Sequence, residues 1–192
     1  MSTLEIIAAS IGIIYVLLEY KASVWLWVAG VLMDICYCYL YFKSHFYANG
    51  ALYVYYMIVS LWGIMLWLRN RKKAQEEQSD ADQVRSMPAK GWLPVVGASI
   101  ALTIVLAMVL QRLGESEMVW MDGATAALSC VGMVLMAKKY YQQWLFWIIT
   151  DPVYVVFMLM SHMYFLAAMY AFYTVISIMG YYRWKGLNKK QS

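Results

Sequence analysis

Two aspartates stand where carboxylates are costly. Asp34 and Asp151 each lie about nine residues inside a long apolar stretch, and an ionised side chain at the centre of a bilayer costs about 2.5–3.5 kcal/mol, so it rarely faces lipid. The same residue types recur around both. Trp27, Asp34 and Tyr37 are spaced i, i+7, i+10 and share one helical face; Trp144, Asp151 and Tyr154 repeat the spacing, and Trp147 adds a second ring. The next stretch carries Tyr53, Tyr56, Ser60, Gly63 and Trp67 as a stripe, which Tyr170, Tyr173, Ser177, Gly180 and Trp184 repeat. Two readings fit this set. In one, each Asp is satisfied by a Tyr hydroxyl or the backbone and serves to lock helices together. In the other, the deep Trp, Tyr and Asp side chains line a polar, aromatic lumen. Carboxylates inside a box of electron-rich rings suit a flat organic cation, because each desolvated ring face adds about 0.5–2 kcal/mol of attraction. A phosphate ester would want Arg or Lys at depth, and the apolar stretches hold none.

Other positions carry less. Trp67 and Trp184, beside Arg69 and Arg183, are expected in an interfacial belt. Gly63 and Gly180 are expected to allow close helix contact. Ser44-His45-x-Tyr47 and Ser161-His162-x-Tyr164 read as a symmetric turn motif, since two His without a third ligand argue poorly for metal. Glu19 is either an interfacial charge or a gate residue. No Gly-rich phosphate loop, nucleophile–base pair or metal-ligand helix motif is evident, so neither a cofactor nor a metal is expected.

The elements that position these residues are transmembrane helices. Of 192 residues, 64% are hydrophobic and 14% charged, too apolar for a soluble domain of this size. That composition excludes soluble enzymes, secreted disulfide scaffolds and disordered regulators, and Cys36, Cys38 and Cys130 read as free thiols packed among apolar residues. With roughly 20 apolar residues per crossing, seven spans are predicted at 4–20, 24–43, 48–68, 92–112, 119–137, 142–161 and 164–183. Short polar breaks such as Gly114-Glu115-Ser116-Glu117 separate them, and no cleavable signal peptide is evident. The long connection after Arg69, with charges including Asp80 and Asp82, reads as a solvated linker. One side of this arrangement holds 13 Lys and Arg and the other holds two, Lys43 and Arg112. The basic side is expected to be cytoplasmic, placing the amino terminus outside and the carboxyl terminus inside. The +4 net charge therefore reports orientation, not a nucleic-acid partner.

The chain also repeats itself. Shifted by 117 positions without gaps, residues 5–69 fall on 122–186 with fifteen identities in 65 positions. Most are Trp, Tyr, Asp, His, Ser or Gly, including Asp34/Asp151, His45/His162 and Ser60/Ser177. Hydrophobic periodicity alone does not align such types. Each repeat holds three spans and a further span lies between them, so the repeats run parallel about an axis along the membrane normal. The expected organisation is a first repeat at 1–69, a charged cytoplasmic loop at 70–91, a linker helix and outer loop at 92–118, a second repeat at 119–186 and a tail at 187–192. The predicted fold class is an all-α integral membrane protein with a SWEET-like 3+1+3 arrangement, an architecture of small transporters.

On these residues the sequence resembles the PnuC family of bacterial vitamin transporters over nearly its whole length. The resemblance is carried by Trp144-Leu-Phe-Trp147-Ile-Ile-Thr-Asp151-Pro152-Val-Tyr154, by the Gly180-Tyr-Tyr-Arg-Trp184 ending, and by Trp25-Leu-Trp27 through Ser60-Leu-Trp-Gly63. It implies an inner-membrane, multi-pass carrier working by facilitated diffusion. Phosphorylation by a cytoplasmic kinase would trap the substrate without direct contact between the two proteins. The implied partners are a cationic vitamin and the lipid bilayer, and a homo-oligomer is compatible with both. The family's Trp-x-x-Trp motif matches Trp144 and Trp147. Its Asn-x-x-Tyr motif, associated with nicotinamide riboside, is met here by Asp151-x-x-Tyr154. Aspartate can pair with an aminopyrimidine and neutralise a thiazolium, so thiamine and the PnuT branch are expected first, with nicotinamide riboside as the alternative. The competing class is a membrane-embedded enzyme or sensor. The substrate-binding set is Asp34, Asp151, Trp27, Trp144, Trp147, Tyr37, Tyr154, Tyr53, Tyr56, Tyr170 and Tyr173.

Overall fold

The computed structural model describes residues 3–77, 82–114, 116, 118–160 and 162–191, with side chains from Ser10 to Lys189 within those ranges. Asp80, Glu115, Glu117 and Ser161, named above, lie outside the described residues. Seven α-helices occur among them: α1 (Thr3–Tyr20), α2 (Trp25–Lys43), α3 (Tyr47–Glu77), α4 (Trp92–Leu113), α5 (Val119–Ala137), α6 (Gln143–Met160) and α7 (Tyr164–Gln191). Six of them are long and apolar enough to cross a membrane, and Ser10–Tyr20 of α1 is a shorter apolar helix. The predicted spans agree to within a residue or two at most ends. The exceptions are α3 and α7, which run on through their basic segments to Glu77 and Gln191.

The six repeat helices close into a ring in the order α1, α2, α3, α5, α6, α7, and α4 packs outside it against α5. Each repeat contributes one side of the ring, and the seams lie between α3 and α5 and between α7 and α1. At the first seam Trp67 Nε1 donates to the Ala137 carbonyl at 2.9 Å, and at the second Trp184 Nε1 donates to the Glu19 carbonyl at 3.2 Å.

The repeat is written into the turns. The α1–α2 and α5–α6 turns place Ala22 and Lys139 in the left-handed region, at φ 53° and 57°, and the α2–α3 and α6–α7 turns do the same with His45 and His162, at 62° and 56°. In all four the next N–H reaches back five residues, as Ser23 to Leu18 at 3.0 Å and Met163 to Met158 at 2.8 Å. This closure satisfies carbonyls left open at a helix end. His45 and His162 bond the Tyr47 and Tyr164 hydroxyls at 3.0 and 3.2 Å. The two histidines are turn residues.

The segment after α3 differs from the solvated linker expected. Val84 and Met87 are buried, and Arg85 pairs through its backbone with Lys139 and Tyr141 of the α5–α6 turn. Met87 N–H donates to Gln142 Oε1 at 3.0 Å. Buried Lys139 donates to the Asp82 carboxylate at 2.5 Å and lies 4.3 Å over the Trp67 ring. Its burial lowers the ammonium pKa and Asp82 pulls it back up. Apolar side chains spaced through a charged stretch let the segment strap itself beneath the ring, which charge alone did not reveal.

The α1–α2 and α5–α6 turns, the segment after α3 and the end of α7 define a basic end of the bundle. A reporter fused after Ser192 is expected to be active in the cytoplasm and one before Met1 inactive there, because Lys and Arg are retained on that side. A periplasmic carboxyl terminus would contradict both the charge split and the parallel repeats.

Candidate functional site

Asp34 and Asp151 share one cavity inside the ring. They are 2% and 7% exposed, and both line one cavity of about 180 Å³. Each carboxylate accepts a hydrogen bond from the next helix of its own repeat, Ser60 Oγ to Asp34 and Ser177 Oγ to Asp151, both at 3.1 Å. The satisfying hydroxyls are therefore serines, not the tyrosines considered from sequence. One acceptor oxygen is engaged in each bond shown, and a carboxylate has further lone pairs to offer.

Sixteen of the nineteen lining residues form eight repeat pairs. Four pairs are identical: Asp34/Asp151, Ser60/Ser177, Tyr53/Tyr170 and Tyr56/Tyr173. Four differ: Gly12/Ser129, Val16/Met133, Gly30/Trp147 and Met33/Thr150. Tyr15, Glu19 and Tyr154 line it without their repeat mates. Among the described residues, no Lys or Arg lines the cavity. Aromatic walls are matched across the repeats, with Tyr53 edge-on to Tyr56 at 5.5 Å and Tyr170 edge-on to Tyr173 at 5.8 Å. Such a lining can hold a flat cation by charge from three carboxylates and by ring faces.

Of the residues expected from sequence, Asp34, Asp151, Trp147, Tyr53, Tyr56, Tyr154, Tyr170, Tyr173 and Glu19 share this cavity. Tyr37 does not line it; its ring lies behind Tyr53 at 5.0 Å. Trp27 and Trp144 do not line it either. Both are fully buried in the core, with ring atoms where a Cβ on Gly63 or Gly180 would lie 2.5–2.6 Å away. The glycines thus admit an indole, not a neighbouring helix backbone. Trp67 and Trp184 are not belt residues: at 2% and 0% exposure they stand edge-on to Trp27 and Trp144 and 6.5 Å from each other. Belt tryptophans keep their N–H in the interface, whereas these two indoles donate to carbonyls inside the seams. Four indoles thus form a floor between the cavity and the basic end.

Sequence reasoning missed Tyr15, Thr150, Ser129 and, just behind the wall, Gln143. Gln143 Nε2 donates to Glu19 Oε1 at 2.9 Å, and Gln143 Oε1 accepts from Trp147 Nε1. A polar amide in the first turn of an apolar span was the available signal.

The model of the nicotinamide mononucleotide transporter family matches residues 2–186. The chain belongs to this family. Its relatives include "Nicotinamide riboside transporter PnuC" of Neisseria mucosa, 28% identical over 200 residues and covering 100% of this chain and 75% of the relative. The protein of the same name from Haemophilus influenzae is 28% identical over 194 residues, covering 98% and 82%. A solved structure described as "Crystal structure of the Vitamin B3 transporter PnuC" aligns with a TM-score of 0.77 at 26% identity, over 98% of this chain and 83% of that one. Membership of the PnuC family, with six long apolar helices, makes this a multi-pass membrane transporter of the bacterial inner membrane. The seven-helix fold is shared with that solved structure.

Proposed function

We propose that the protein carries nicotinamide riboside, a cationic aromatic nucleoside, across the membrane by facilitated diffusion, with an intracellular kinase retaining it. The observation that carries this reading is a buried aromatic cavity holding Asp34, Asp151 and Glu19 with no Lys or Arg in its wall. Such a wall attracts a pyridinium ring and offers nothing to a phosphate. The names of the relatives speak for the riboside, which reverses the order in which the two vitamins were expected from sequence. The two bundles, 1–69 and 119–186, would rock about the aspartates, parting the tryptophan floor for release.

One observation favours thiamine as a second reading: aspartate at position 151, where the riboside motif carries asparagine. Calorimetry with both vitamins separates the two. For the riboside, Asp151→Asn is expected to cost less than tenfold in affinity, roughly under 1.4 kcal/mol, since asparagine serves the motif and Asp34 and Glu19 keep the wall acidic. For thiamine it should weaken binding by about 2 kcal/mol, the scale of a lost charged hydrogen bond. Tight thiamine binding with a large loss in the variant would replace the first reading by the second.

Facilitated diffusion has its own test. Liposomes holding only this protein should equilibrate the vitamin without concentrating it. Accumulation driven by an imposed proton or sodium gradient would refute it, and absence of any flux would return the enzyme or sensor reading.

A further inference from the structure

A nucleoside has no symmetry, so a cavity built from eight repeat pairs must orient it through the places where the repeats differ. Three of the polar differences are linked to one another. Glu19 of α1, Gln143 of α6 and Trp147 of α6 are joined by two hydrogen bonds, Gln143 Nε2 to Glu19 Oε1 at 2.9 Å and Trp147 Nε1 to Gln143 Oε1. The repeat-equivalent positions hold Met136, Leu26 and Gly30. The relay therefore crosses between the repeats, with Glu19 from the first and Gln143 and Trp147 from the second, and none of the three has a like residue at its counterpart position.

The relay is buried throughout its polar part, with Gln143 0% and Glu19 2% exposed. A carboxylate only accepts and an indole only donates, so an amide between them can take just one orientation. Glu19 sets Gln143, and Gln143 sets the plane of the Trp147 ring. Space is arranged to match. Gly132 of α5 lies under Trp147, where an added Cβ would approach the ring to 3.4 Å, whereas in the other repeat Gly30 lies under the Tyr15 ring at 3.1 Å. Simple packing does not call for such a relay, because fully buried Leu26 and Met136 fill the equivalent places without polar desolvation.

We propose that the Glu19–Gln143–Trp147 relay fixes the orientation of the bound cation, Glu19 and Gln143 acting as positioning residues that hold the Trp147 indole as the face on which the ligand's aromatic ring stacks. This rests on the substrate class proposed above. It makes α6 of the second repeat the ring-reading element, braced by Glu19 of α1 in the first.

Glu19→Met and Gln143→Leu install at each position the residue of its repeat counterpart, Met136 and Leu26, and Glu19→Gln keeps an acceptor for the amide while removing the charge. The first readout needs no ligand: the indole N–H resonance of Trp147 in micelles, assigned by its loss in Trp147→Phe. It should shift in Gln143→Leu and Glu19→Met and stay in place in Glu19→Gln. The second readout is calorimetry with nicotinamide riboside and with thiamine. Gln143→Leu and Glu19→Met should each lose about tenfold in affinity, the scale of one cation–π contact, while Glu19→Gln recovers most of it. An unmoved resonance in Gln143→Leu overturns the relay. Equal loss of binding in Glu19→Gln and Glu19→Met also overturns it, since Glu19 would then act on the ligand through its charge. Wild-type protein that binds neither cation sinks the substrate reading alone, because the resonance still reports the relay.

Discussion

Trp147→Ala is expected to weaken binding of the cationic vitamin by about 2 kcal/mol, roughly thirtyfold, without unfolding the protein. Among the described residues, Trp147 is the one tryptophan on the cavity wall. Its ring is held from behind by Gln143 and lies over Gly132. Truncation removes a ring face from a desolvated site that offers the ligand no cationic competitor. Trp144, three residues earlier, makes the contrast. It is fully buried in the core and shut off from the cavity, so Trp144→Ala should cost about 3–5 kcal/mol of stability, as for large buried aromatics. The milder Trp144→Phe should leave affinity nearly unchanged in the protein that remains folded. Titration calorimetry on monodisperse fractions, with a thermal melt for each variant, reads both effects. Wild-type affinity in Trp147→Ala would show that this ring is packing, and the aromatic cavity would lose its main support as a binding site.

Gly180→Leu is expected to destabilise the fold by about 3 kcal/mol, at the upper end for overpacking. A Cβ at Gly180 would fall 2.6 Å from the Trp144 indole, which is fully buried and cannot retreat because Trp184 stands edge-on behind it at 5.8 Å. Gly63→Leu should act alike, since the Trp27 ring would lie 2.5 Å from its Cβ. Gly97→Leu on α4 is the control, with nothing within 4 Å of its Cβ. Melting of purified protein followed by size-exclusion recovery should separate the two floor variants from the control. Equal melting of all three would mean that the four indoles are loosely packed and do not form a floor.

Much of this architecture was legible in the chain. Apolar runs near the length of a bilayer crossing yield the seven helices, and the offset of 117 positions pairs the residues that the structure pairs. The cavity's central acids were visible because carboxylates deep in apolar stretches have few places to go. Charge counting was less informative where charged and apolar residues alternate. Arg69–Glu77 extends α3, and the segment around Val84 and Met87 packs against the α5–α6 turn. Burial of two side chains against a remote turn leaves no local mark in the sequence.

Repeat identity carried the site reading and also limited it. Aligning the halves selects what they share, so it found Asp34/Asp151 and the tyrosine pairs, and it passed over Tyr15, Gln143 and Trp147's partnership with Glu19. An asymmetric ligand is read by the positions that differ, and those are the ones an identity search discards. Composition, period and repeat thus determined that the chain is a seven-helix membrane protein with two parallel halves around paired aspartates. Which ring faces the cavity was decided by tertiary packing. Trp144 and Trp147 lie three residues apart on one helix, yet one fills the hollow over Gly180 and the other leans over Gly132 into the lumen. Helical spacing puts both on neighbouring faces, and only the partner helices' glycines, remote in sequence, settle which face is core.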